Sequence, residues 1–189
     1  MISFQYVFSL LVILLGLGLA EVFGGLARAV KARPPVRIGW GTGLLATWTV
    51  IRTVLFWRLA WRTRDVLPES SAVFIAGVLI CGLYYLAGAL VFPDALDGRI
   101  SLDEYFAQEK GKAIGALLAA MALAYLLRPA VLGWASWSYM RLPDWLALVM
   151  IFGVGSLAML TKSRRVAVGS LGALVVCEIG FSLGRSLFA

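Results

Sequence analysis

Three ionisable residues stand inside long apolar runs of this chain: Glu21, Arg52 and Glu178. Insertion scales put a charged side chain at the centre of a membrane helix at about 2.5–3.5 kcal/mol, so each of the three needs a partner. With a helical rise of 1.5 Å per residue, Glu21 lies about 13 Å, Arg52 about 21 Å and Glu178 about 18 Å from the same end of their runs. One slab holds all three. That depth predicts that Arg52 meets Glu178, Glu21 or both, since two buried carboxylates without a cation would repel. Tyr84 is expected nearby. Such a cluster can bind an ion, a proton or an anionic head group; its plainer role is a salt bridge that fixes helix register.

Other chemistry is scarce. Histidine is absent, which removes the commonest general base, the commonest metal ligand and the usual haem ligand. Ser-His hydrolases and intramembrane metalloproteases in their ordinary forms are thereby excluded. Asp94, Asp97, Asp103 and Glu104 make the one carboxylate-rich stretch, and a metal-dependent lipid enzyme would need them to converge. The stretch has the Gly98 and Glu104 of an EF-hand loop, but Pro93 and Ala95 stand where the first two oxygen ligands belong. Ser101 followed by Glu104 is a helix capping box and accounts for both residues without metal. Gly153, Gly155 and Ser156 lack the spacing and the base of a serine-nucleophile elbow. No phosphate loop, dinucleotide fingerprint or metal cluster is present, and no cofactor is expected. Cys81 and Cys177 lie in apolar runs and read as small buried hydrophobes.

The elements that must carry these residues follow from composition. Of the 189 residues, 61% are hydrophobic and 14% charged, against about 45–50% and about 25% in soluble domains. The apolar residues fall in runs near the roughly 20 residues of a bilayer crossing. The expected fold is all-α, a single polytopic membrane bundle of six transmembrane helices, at about 4–29, 38–59, 72–92, 102–127, 145–160 and 166–188. The first run has no basic start and is too long for a signal peptide, so it is expected to be retained. Pro34 and Pro35 stop it. Trp57, Arg58, Trp61, Arg62 and Arg64 form an interfacial collar on the second, and Pro68 turns the chain toward the third. Arg128 and Pro129 are expected to end the fourth helix. The mixed segment from Val131 to Asp144, with Trp134, Trp137, Tyr139 and Arg141, reads as an interfacial loop or short surface helix.

Small residues mark expected packing faces. Gly18 and Gly25 flank Glu21 on one stripe of the first helix, while Gly16, Ala20 and Gly24 form a second. Gly77 and Gly88 share a face with Cys81 and Tyr84; Gly111 and Gly115 line the fourth helix. The net charge of +7 comes from Lys and Arg at the ends of apolar runs, so a nucleic-acid partner is not expected. Ten positive charges fall on the side of the 28–37, 99–112 and 162–165 connections. Six fall opposite: Arg58, Arg62, Arg64, Arg128, Arg141 and Arg185. The positive-inside rule then puts both termini in the periplasm.

The opening Phe4, Tyr6 and Val7, with Gly16, Gly18, Gly25 and Arg28 after them, resembles a family of small bacterial multi-span membrane proteins. The Phe92-Pro93-Asp94 step and the helix start at Leu102, Tyr105 and Phe106 are similar to the same group. The resemblance implies a small bacterial membrane protein and brings no activity with it; an inner-membrane location is expected. The sequence therefore points first to a non-enzymatic protein acting through helix contacts, in a homo-oligomer or with a membrane-complex partner. A small channel or transporter using Glu21, Arg52 and Glu178 is the alternative.

Overall fold

A computed structural model describes residues 2–32, 36–63, 70–94, 101–137, 140 and 142–187. Pro34, Pro35, Arg64, Pro68, Asp97, Gly98, Arg99, Tyr139 and Arg141 lie outside these residues, as does the side chain of Arg185. Among the described residues there are six α-helices: α1 (Ile2–Lys31), α2 (Trp40–Arg62), α3 (Ser71–Ala89), α4 (Leu102–Leu132), α5 (Leu142–Leu160) and α6 (Arg164–Leu187). One 3-10 turn, Trp134–Trp137, joins α4 to α5.

The expectation of six transmembrane helices is corrected to four. Among the described residues, α1, α3, α4 and α6 are the helices long and apolar enough to cross a bilayer. α2 carries Arg52, Arg58 and Arg62 along with four threonines, which lowers its apolarity. The apolar part of α5 is the 17-residue stretch Asp144–Leu160, about 25 Å long against a hydrocarbon core of about 30 Å. The polar residues of α2 are met by protein. α2 packs against α1, α3, α4 and α6. Its Thr49 and Thr53 hydroxyls donate to the carbonyls of Leu45 and Thr49 at 2.8 Å, and Thr42 donates to Leu102 O on α4 at 3.3 Å.

Helices consecutive in the chain run antiparallel, while α1 and α3 run parallel, with Gly18 against Tyr85 and Gly25 against Phe92, as do α2 and α6, with Leu44 near Gly172 and Arg52 against Glu178. α1 packs on α3, α3 on α4, α4 on α5, α5 on α6 and α6 on α2, which returns to α1. The N-terminal ends of α2, α4 and α6 meet at one end of the bundle, where Asp103 pairs with Arg164. There the core is filled by Leu45, Trp48, Phe106, Ile114, Leu117 and Leu171, all buried.

α4 begins as its capping box requires. The Ser101 Oγ accepts from the Glu104 backbone N–H at 3.2 Å. Ser101→Ala is expected to cost about 1 kcal/mol, read as a shift in the denaturant midpoint of the detergent-solubilised protein. The helix does not end at Pro129, as the sequence suggests, but runs on to Leu132. Pro129 lacks the N–H that would reach the Tyr125 carbonyl, so the helix passes through it one hydrogen bond short. Gly133 then stops the helix at φ 78°, a conformation that a side chain would disfavour.

Candidate functional site

The chemistry gathers where α2, α3, α4 and α6 face one another. Arg52 Nη1 donates to Glu178 Oε1 at 2.9 Å, with side chains 13% and 7% exposed. Tyr84 of α3 and Tyr125 of α4 line the same space as this pair. Tyr84 is itself buried, with its ring 5.2 Å from that of Phe56. Arg52 Nε is buried and has no hydrogen-bond partner. The guanidinium is thus met on one edge by a carboxylate and bare on part of the other.

Glu21 does not join this group. It is half-buried on α1 and has no ion-pair partner among the described residues. Depth alone put it in reach of Arg52; helix order takes it away. α1 packs chiefly on α3, whereas Glu178 arrives on α6 from the other side of α2.

The small-residue stripes divide in the same way. Gly18 faces the Tyr84 and Tyr85 backbone, Gly88 faces the Gly18 carbonyl, and Gly25 faces the Phe92 ring. These contacts bind α1 to α3 and hold Tyr84 at its depth. Gly77 lies against Leu11, and Gly111 and Gly115 lie against Met159 of α5. Gly16 and Ala20 point outward from the bundle; Gly24 is half-buried beside Arg28 of its own helix.

The cluster forms the floor of a cavity of about 610 Å³, to which all six helices contribute. Arg58, Arg62, Arg128 and Asp144 line its outer part. Sequence reasoning reads those arginines as interfacial anchors, and their distance along the chain from Arg52 hides their common wall. Tyr125 also goes unnoticed, as one aromatic among many.

Lys110 is a second feature that sequence reasoning misses. Its Nζ donates to the carbonyls of Ala158, Met159 and Thr161 at 3.0, 3.3 and 2.7 Å. These include unpaired carbonyls at the C-terminus of α5, which a cation suits. The signal is spacing: Phe106, Lys110, Ala113, Ile114 and Leu117 share one helix face, and the four apolar members are buried. The described carboxylates of the 94–104 stretch, Asp94, Asp103 and Glu104, do not converge on one site. Asp103 turns to Arg164, and no three potential ligands group together among the described residues.

No protein-family model matches the chain, and neither a curated protein nor a solved structure shows significant similarity to it. The chain stands on its geometry: a helical, multi-span membrane protein. The family resemblance drawn from the sequence goes no further than that description.

Proposed function

We propose that this is a non-enzymatic protein of a bacterial inner membrane that works by lateral helix contact, with itself or with a membrane complex. The observation that supports this reading is the outer face of α1. Its Gly18–Gly25 stripe is consumed by α3, but Gly16 and Ala20 are exposed, and a Cβ on Gly16 would meet nothing within 4 Å. Ile13, Leu17 and Phe23 are exposed beside them. Gly16, Ala20 and Gly24 thus form a small-xxx-small ridge, over which another helix can approach closely. The excess of Lys and Arg on the end holding Lys31, Lys112 and Arg164 supports a cytoplasmic position for that end.

The test is oligomeric state in mild detergent. Light scattering of the wild-type protein should give a dimer or a stable complex. Gly16→Ile with Gly24→Ile should give a folded monomer, because the bulk falls on the outer face. A wild-type protein that is strictly monomeric and brings no partner through purification would end this reading.

The cavity favours a second reading, a transporter open toward one end. Arg52 and Glu178 lie at its floor, and the packed core beyond them blocks a continuous pore. Alternating access would then require that core to part. Flux into liposomes that is lost in Glu178→Gln, with folding intact, would support transport; flux equal to that of empty liposomes would remove it.

A further inference from the structure

The cavity is asymmetric in charge. At its floor Arg52 is neutralised by Glu178. Farther out on α2, Arg58 lies about 9 Å and Arg62 about 15 Å beyond Arg52 along the helix. Arg128 lines the same space from α4, one turn beyond Tyr125, and Asp144 lines it from α5, so three arginines against one carboxylate leave the outer part positive. Among the described residues, no carboxylate pairs with Arg58, Arg62 or Arg128. Arg128 donates one N–H to Ser136 O at 3.2 Å, but its Nε is buried with no acceptor. An unmet charged donor in such surroundings is costly, and an anionic acceptor would relieve it. Between the outer arginines and the floor the walls are hydrocarbon, including Leu55, Phe56, Ile80, Ala147 and Phe181. The volume of about 610 Å³ falls within the ~300–1,000 Å³ of sites that hold small organic molecules.

We infer that this cavity binds a single-chain anionic amphiphile, its acidic head held by Arg58, Arg62 and Arg128 and its acyl chain running inward along the apolar walls. The direction follows from cost: the charged head stays toward the interface and the chain takes the interior. The reverse pose would bury the charged head at the floor, where Arg52 is already neutralised by Glu178 and offers no net positive charge. A bare inorganic anion would leave the walls uncovered, and a neutral lipid would leave the arginines unmet. A fatty acid and a lysophospholipid share the required chemistry.

The experiment is equilibrium binding to the full chain in dodecyl maltoside, with radiolabelled palmitate and palmitoyl lysophosphatidylglycerol as probes. One saturable site per chain is expected, and the tighter of the two probes identifies the source of the head group. Hexadecanol and inorganic phosphate should fail to compete at equal concentration. Arg128→Gln should weaken binding about tenfold, and Arg58→Gln with Arg62→Gln by at least as much. The latter two arginines lie toward the rim, so their loss leaves the core intact even if Arg128→Gln folds poorly. Ala147→Trp, which fills the cavity from α5, should abolish binding. Hexadecanol competing as well as palmitate, undiminished affinity in the arginine variants, or no saturable site would each overturn the inference. The outer face of α1 takes no part, so failure here leaves the helix-contact reading standing.

Discussion

Glu178→Leu is expected to destabilise the protein by about 3–5 kcal/mol, because it leaves Arg52 charged and unpaired among buried helices. Arg52 reaches Glu178 at 2.9 Å and has no second carboxylate among the described residues. Its Nε already lacks an acceptor, so little remains to share the charge. The measurement is unfolding in mixed micelles, followed by tryptophan fluorescence. The double variant Arg52→Met with Glu178→Leu removes both charges and should recover most of the loss, since an apolar pair of similar size is often as stable as a buried ion pair. Destabilisation by Glu178→Leu of less than about 1 kcal/mol, or a double variant no better than the single, would mean that lipid or water reaches Arg52 and meets its charge.

Gly88→Ala should separate α1 from α3. A Cβ at position 88 would stand 2.5 Å from the Gly18 carbonyl oxygen and 3.2 Å from its carbonyl carbon. Both obstacles are backbone, so a helix must move rather than a side chain turn. Overpacking of this kind costs about 1–3 kcal/mol, occasionally more, while alanine returns up to about 1 kcal/mol of helix propensity. Gly16→Ala has the same propensity gain and no obstacle within 4 Å, so it is expected to be neutral or stabilising. The difference between the two variants in the same unfolding assay isolates the contact. The effect should also reach the cluster, since the Gly18 face of α1 lies on the Tyr84 and Tyr85 backbone. Equal stability of Gly88→Ala and Gly16→Ala would show that α1 and α3 do not approach this closely.

Much of the framework is legible in the residues. Runs of apolar side chains, prolines and arginine-tryptophan collars locate six helices and their approximate ends, because length and composition act locally. Ser101 and Glu104 announce the start of α4 because a cap is a contact within one turn. The four-span count was not reached this way. A run such as α2 looks like a crossing until its arginines and threonines are weighed against a short apolar length. Lys110 was legible in principle through helical spacing, yet its target, the end of α5, lies about fifty residues away.

Residue order and composition are enough to establish that lipid is the main solvent, that the secondary structure is helical, and that a few intramembrane ions lie at similar depth. Depth along a helix follows from residue number because the rise is constant. Rotation about each axis and the order of neighbours do not follow, because they depend on how whole helix faces fit together. Helix packing is what pairs Arg52 with Glu178 and leaves Glu21 out. It alone sent one glycine stripe of α1 inward and the other outward. It also brought Arg58, Arg62 and Arg128, residues of two helices far apart in the chain, to a single cavity wall.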